Sequence, residues 1–470
     1  MNKHLNIYFT ILTLVVLSSC KVSQDISTPE APLPQTYRDA QSRDTANIAS
    51  IQWQTFFADA ALRDLIDRAI TNNYDMQEAL KNIEAAQLIV KQSKLNYLPD
   101  ATLQVGASLN RPSDNSLNGL SLSKFLGKSY VEDYSASAAL SWEADIWGKI
   151  KNQKAIALAS YLQTTEAKKA IQTSLVASVA NGYYNLLMLD AQLAIANKNV
   201  LLNDSTLRII QLQYEAGQVT LLAVQQATAQ RLVAVQLIPF LQQNISLQEN
   251  ALSILTGSLP SNIQRTKSIS NIVFTDDLSA GVPSALVANR PDVKAHELQL
   301  NIANANTGIA KANMYPSLTI TAAGGLNSFK ASNWLNIPAS LFGAVAGGIT
   351  QPLFQRKELK TQYELAKVER EKTVIQFRQS VLTAVGEVSD ALVKTARLKE
   401  QETIANTRVN TLQQAIHNAD LLFRNGMATY LEVITAQSNT LQAELELSAL
   451  KKDQLVAVVD LYRSLGGGWK

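Results

Sequence analysis

Two periodicities divide the chain, and they recur in the same order. Alternation with period two appears from Ala101 to Asn110, where Leu103, Val105, Ala107 and Leu109 are apolar while Thr102, Gln104, Gly106 and Ser108 are small or polar. Ser135 to Trp142 repeats it, with Ala136, Ala138, Leu140 and Trp142 on one face and Ser135, Ser137, Ala139 and Ser141 on the other. The second half offers Ser317 to Leu326, where Leu318, Ile320 and Ala322 alternate with threonines, and a glycine-rich run from Ser340 to Thr350. This pattern predicts strands with two unlike faces. Elsewhere prolines vanish, from Ser113 to Ile238 and from Leu353 to the C-terminus, and Lys149 to Tyr214 is rich in Ala, Leu, Gln and Lys. These are good helix formers. About 65 helical residues would reach on the order of 100 Å at 1.5 Å per residue, which points to a coiled coil or a helical repeat.

The order is written twice. Gly217, Thr220, Leu222, Val224 and Ala227 return about 209 positions later as Gly426, Thr429, Leu431, Val433 and Ala436. Asn96-Tyr97-Leu98-Pro99 likewise corresponds to Asn313-Met314-Tyr315-Pro316, each ahead of an alternating run. Two copies are too few for a stacked solenoid, so the repeat predicts a pseudo-symmetric protomer. The first copy is expected over 51–256, with strands near 101–110 and 134–143 and a long helical hairpin over about 148–255. A connection rich in Ser, Thr, Asn and Pro follows over 257–284, and the second copy over 285–470 has strands near 317–327 and 340–351 and a hairpin over about 355–464. Gly217 and Gly426 are placed to turn each long helix back, with Thr220 and Thr429 as N-caps of the returning helices. Pro239 predicts a kink or break in the first returning helix. In Arg290-Pro291-Asp292-Val293, proline suits a first helical turn and the aspartate favours a helix start, so this run opens the second copy.

The N-terminus belongs to targeting. Lys3 and His4 precede an apolar run from Leu5 to Val16, too short to span a bilayer as a helix, which ends in Leu17-Ser18-Ser19-Cys20. Residues 1–19 read as a signal peptide, and Cys20, the only cysteine in the chain, stands where a bacterial lipobox places its acylated residue. An ordinary export signal with an incidental cysteine is the plainer reading. Residues 20–50 then form a tether, and a lone cysteine excludes an intramolecular disulfide.

Charge and hydropathy narrow the class. Lys plus Arg number 42 against 39 Asp plus Glu, which gives no basic footprint for nucleic acid. Beyond the leader no apolar stretch approaches about 18 residues, so a membrane crossing would require a closed β-barrel. The alternating runs have the length of about 10 residues that a tilted transmembrane strand needs. Two soluble hairpins with one wet face satisfy the same pattern. Four strands cannot close a barrel, and open edges are excluded from lipid, so the membrane reading demands that several chains pool their strands. Catalysis finds no support: His4, His296 and His417 lack metal-site spacing, and there is no Gly-rich phosphate loop. The chain reads as a non-enzyme without metal or cofactor, dependent on a partner for energy.

At this point the residues carry a resemblance. Cys20, Trp53 to Leu65 with Asn72-Asn73, Trp142 to Lys149, Arg290-Pro291-Asp292-Val293 with Glu297, Tyr315-Pro316 and the duplicated glycine turn resemble TolC-type outer-membrane efflux proteins. The branch they resemble is the NodT-type lipoproteins that serve resistance-nodulation-division pumps. The resemblance implies a mainly α fold with a β-barrel: a homotrimer whose chains pool four strands each into a shared barrel in outer-membrane lipid, with the helical hairpins forming a long periplasmic α-helical barrel. It implies an exit duct that works with a periplasmic adaptor, or membrane fusion, protein and an inner-membrane pump, held at the outer membrane by lipid on Cys20. It also places Leu431, Glu432 and Thr435 beside a periplasmic constriction, Thr435 standing where an Asp is common. For Glu432 a solvated first-turn acid is the competing reading. Ala223 occupies the matching position in the first copy, so the second hairpin is expected to provide the gate. A lipid-anchored periplasmic adaptor without a pore is the alternative function.

Overall fold

The structure, a computed structural model, describes residues 37, 48–272, 274, 283 and 288–470. Cys20, the expected signal peptide, nearly all of the expected tether and part of the 257–284 connection lie outside the described residues. In chain order the elements are α1 (Trp53–Phe56), α2 (Ala60–Asn72), α3 (Tyr74–Leu95), β1 (Asp100–Asn110), α4 (Leu117–Leu126), β2 (Val131–Ala144), α5 (Lys149–Glu215), α6 (Leu221–Leu255), α7 (Pro291–Ala312), β3 (Ser317–Ser328), β4 (Leu341–Thr350), α8 (Glu358–Arg424) and α9 (Tyr430–Ser464). In the long helices the duplication is kept to the residue, since α5 and α8 each have 67 residues and α6 and α9 each have 35. Among the described residues no helix is long and apolar enough to cross a membrane. Apolar positions on α5 and α8 drift around the helix instead of holding one face, as expected where neighbours change along a long rod.

Helix α6 runs from Leu221 to Leu255 through Pro239, so the break expected there is absent. Proline costs a helix interior roughly 3 kcal/mol. Leu237 and Ile238, the residues just before it, pack against the main core, and that burial offsets the lost hydrogen bond.

The described chain forms two compact units. The first comprises Ala85–Tyr161 and Leu298–Ile375, and its centre is a single antiparallel sheet ordered β1-β2-β3-β4. Register sorts the side chains. Leu103 lies opposite Ala138, Val105 opposite Ala136, Trp142 opposite Ile320, Leu318 opposite Ile349 and Leu326 opposite Leu341. Directly opposed residues share a face, so one face is apolar across all four strands. The other carries Gln104 opposite Ser137, Thr102 opposite Ala139, Ser141 opposite Thr321 and Asn327 opposite Ser135. Both outer strands, β1 and β4, are exposed along their whole length on both faces. The pairing of β2 with β3 joins all four strands in one sheet, so the two hairpins are not separate.

All four connections to the helices leave from one end of this sheet, because α3 and α7 lead into β1 and β3 while β2 and β4 lead out to α5 and α8. Aromatic and polar side chains fasten these junctions. Trp142 donates its indole N–H to Tyr97 O at 2.9 Å, and Trp147 donates to Pro316 O at 2.7 Å while stacking on Tyr315 at 4.8 Å. The Asp145 carboxylate accepts the N–H groups of Ile150 and Lys151 at 2.9 and 2.8 Å, satisfying free donors at the start of α5. At the corresponding start of α8, Arg356 and Lys357 have φ of 48° and 64°, whereas the first repeat places Gly148 there at 77°. A left-handed side chain costs about 1–2 kcal/mol per residue that glycine avoids.

The second unit, in its described residues, lies within Glu30–Glu84, Leu162–Glu297 and Gln376–Lys470. Its core packs Leu62, Leu65 and Ile66 of α2 with Tyr183, Leu186 and Leu187 of α5, Val381 and Val388 of α8, and Leu461 and Tyr462 of α9. Phe56 stacks on Tyr462 at 4.0 Å. Arg265 pins the two helices of the first hairpin, donating to Asp190 at 2.7 and 3.0 Å and to Glu249.

Candidate functional site

The candidate gate is built from the two hairpin turns. Gly217 and Gly426 have φ of 69° and 71°, which closes a Schellman cap at the end of each long helix. The N–H of Gln218 reaches Gln213 O at 2.8 Å, and that of Met427 reaches Leu422 O at 2.9 Å. No neighbouring atom crowds either glycine, so backbone conformation alone selects it.

The turns then diverge. Thr429 caps α9 through a full capping box: its hydroxyl accepts from Leu431 N–H at 3.3 Å, and the Glu432 carboxylate accepts from Thr429 N–H at 2.9 Å and from its hydroxyl. Thr220 occupies the same place before α6 and makes no side-chain cap. The residue three further on also differs, being Glu432 in one copy and the buried Ala223 in the other, so only the second turn can form the reciprocal half of the box. The hydrogen bond from Thr429 and the backbone N–H groups hold the Glu432 carboxyl below its ordinary value.

Leu431, Glu432 and Thr435 are all exposed on one stretch of α9. The opposite side of the turn closes on a small apolar cluster, in which Ile210, Ala223, Ala227, Phe423 and Val433 bring all four hairpin helices together. Tyr430 donates its hydroxyl to Gln226 Oε1 at 2.7 Å, the side-chain hydrogen bond that joins the first returning helix to the second. Sequence reading missed this pair. Gln226 matches Thr435 by the repeat, and no local spacing marks two residues 204 positions apart as partners.

The Arg290-Pro291-Asp292-Val293 run is structural. Pro291 opens α7, and Val293 is fully buried. The Arg290 guanidinium forks onto Asp292 at 3.0 and 2.6 Å, and it reaches Glu387 of α8 at 2.8 Å and Ser464 O of α9 at 3.1 Å. Burial pushes the Asp292 carboxyl up, but the Arg290 fork and nearby N–H groups outweigh it and leave the group below its usual value. Sequence reading took Asp292 as a helix-start acid; the structure shows it also fixing the arginine that ties α7 to both helices of the second hairpin. Among the described residues there is no cluster of His, Cys, Asp and Glu able to hold a metal ion.

Comparison with known proteins agrees with this architecture. The sequence profile of the outer membrane efflux protein family matches residues 65–258 and 282–467. The toluene efflux pump outer membrane protein TtgF of Pseudomonas putida is 30% identical over 478 residues, covering 98% of this chain and 97% of that protein. The cation efflux system protein CusC of Escherichia coli is 27% identical, covering 97% of each. A crystal structure of a membrane protein from Pseudomonas aeruginosa superposes with a TM-score of 0.86 at 26% identity, covering 95% of this chain and all of that one. Both repeats, the two-faced sheet between them and the full length are thus shared, and the chain belongs to the outer membrane efflux protein family.

Proposed function

We propose that the protein is the outer-membrane exit duct of a tripartite efflux system, conducting substrates passively from a periplasmic adaptor and an inner-membrane pump to the exterior. The carrying observation is the sheet. Its apolar face suits lipid, and the opposite face, hydroxyl-rich on β1 to β3, suits a water-filled lumen, the alternation of transmembrane barrels. With four strands the free edges β1 and β4 run in opposite directions, so β4 of one copy meets β1 of the next as an antiparallel pair. Three copies close a ring without any lipid-exposed edge, the condition for spanning a membrane. The helices then lie in the periplasm, with Leu431, Glu432 and Thr435 around a constriction at the turn end of the second hairpin. Three Glu432 carboxylates in a narrow opening would favour cations.

Acyl chains on Cys20 supplement the barrel as an anchor. The pump is of the resistance-nodulation-division type, by the branch resemblance. TtgF and CusC carry toluene and cation in their names, which supports a duct whose cargo is chosen elsewhere in the system. The adaptor reading has no use for a full-length match to outer-membrane proteins.

Conductance of the purified, lipidated protein in a planar bilayer, with its mass in detergent, tests the proposal. A trimer with small, cation-selective conductance that rises on Leu431→Ala or Glu432→Ala is expected. A monomer that never conducts would return the adaptor reading.

A further inference from the structure

The connection between β1 and β2 contains α4, a ten-residue helix of sequence LNGLSLSKFL that the alternation gave no sign of. It is firmly built. Ser116 caps it, accepting from Gly119 N–H at 3.1 Å while donating its hydroxyl to Ser113 O at 2.7 Å, and Gly127 ends it at φ 63°. Gly119 is buried against the backbone of Ser113, where a Cβ would lie 2.2 Å from the carbonyl oxygen.

The helix is inside out for an aqueous loop. A glycine faces inward, while Leu117, Leu120 and Phe125 are 83%, 50% and 87% exposed. The β3–β4 connection does the same with Phe329, Leu335 and Ile337. Both connections sit at the end of the sheet opposite the helices. The charge around α4 is one-sided: Lys124 lies in its last turn, Lys128 follows it, and no acid occurs from Leu117 to Tyr130. The apolar face of the sheet also continues into this loop, because exposed Leu109 is the last apolar residue of β1 on that face.

Exposed apolar side chains with flanking lysines are what a helix lying on a lipid surface presents. We infer that α4 is an interfacial anchor on the outer leaflet, with Leu117, Leu120 and Phe125 among the acyl chains and Lys124 and Lys128 at the headgroup phosphates. The inference rests on the reading of the sheet as a membrane wall. It adds a ring of three such helices to the rim of the barrel, resisting tilt and vertical slip of a thin sheet.

Nitroxide accessibility tests it. Phe125→Cys, Leu103→Cys on the apolar face of β1, and Asn115→Cys in the polar part of the loop are labelled in the full chain. The proteins are reconstituted in vesicles of phosphatidylethanolamine and phosphatidylglycerol, with labelled wild-type protein as the blank for Cys20. Oxygen, which partitions into lipid, and a water-soluble nickel chelate are the two relaxants. The label at Phe125 is expected to follow Leu103, relaxed by oxygen and shielded from nickel. Relaxation by nickel, as at Asn115, would leave α4 in water, and shielding from both would place it against a neighbouring copy; either overturns the inference. Nickel access at Leu103 itself would instead sink the membrane-wall reading. Should Phe125→Cys fail to assemble, Leu117→Cys carries the same comparison.

Discussion

Thr429 and Thr220 show how one residue type at equivalent positions acquires different weight. Only Thr429 has its capping box, because only α9 has an acid three residues on. Thr429→Ala should cost about 1 kcal/mol, seen as roughly fivefold faster amide exchange in the first turn of α9; Thr220→Ala should leave α6 unchanged. Equal effects would mean that the hydroxyl of Thr429 contributes nothing beyond its backbone. The same geometry sets a pH dependence. The hydrogen bond from Thr429 holds the Glu432 carboxyl below its ordinary value, so its capping contribution and its pull on cations are present at neutral pH and are lost only as pH falls through that lowered value. Reversal potentials across a salt gradient should therefore show cation preference unchanged from neutral pH down to the ordinary carboxylate range and lost only below it. A decline beginning near pH 6 would assign the preference to another group. At this scale the sequence was legible where the signal is local, as in Gly426 for the turn and Thr429 for the N-cap, while the link from Thr429 to Glu432 came only with the structure. The sequence was silent where Arg290 meets Glu387 or Tyr430 meets Gln226, since those contacts exist only after the repeats have packed.

Among the elements, the strands and long helices declare themselves because each obeys a period the chain sustains for ten residues or many more. Gly217 and Gly426 punctuate the helices with unambiguous turn chemistry. Pro239 does not break its helix, because the residues before it pack against the core and offset its local cost. Helix α4 was hidden because its large apolar residues point outward, the reverse of the pattern that marks a helix in water. The sheet permits a sharper test than any helix, because adjacent residues point to opposite faces. Val105→Lys puts a charge on the apolar face and should cost about 2–4 kcal/mol near the bilayer midplane, which would be read as loss of assembled protein from outer-membrane fractions. Gln104→Lys, one residue away on the polar face, should assemble normally and shift ion selectivity toward anions. Equal tolerance of the two lysines would leave the apolar face without a lipid to meet.

For the whole molecule, the strength of packing is distributed unevenly, and the distribution suits a duct that must open at one end. The main core of the second unit joins α2, α5, α8 and α9 through many large side chains, and the buried Arg290 and half-buried Arg265 add ion-paired ties. At the turn end, by contrast, the two hairpins share a cluster of five buried residues, two of them alanines, the exposed Tyr430–Gln226 hydrogen bond and, further along α9, a buried hydrogen bond from Gln437 to Thr206 Oγ1 at 2.8 Å. Regions with few buried contacts open at the lowest free-energy cost. The hairpins should therefore separate at their turns while the core stays closed, and the Tyr430 hydroxyl is the outermost directional contact between them, ahead of Gln437–Thr206. Tyr430→Phe keeps the ring and removes only that bond, worth about 1 kcal/mol. The expected result is more frequent opening in planar bilayers, roughly fivefold in open probability for that energy, with trimer mass unchanged. Gln226→Leu should match it, and the double variant should add little, because both changes remove one bond. Additive effects would mean that the two side chains act through separate partners, and no effect in either would move the closing contact off the hairpin turns.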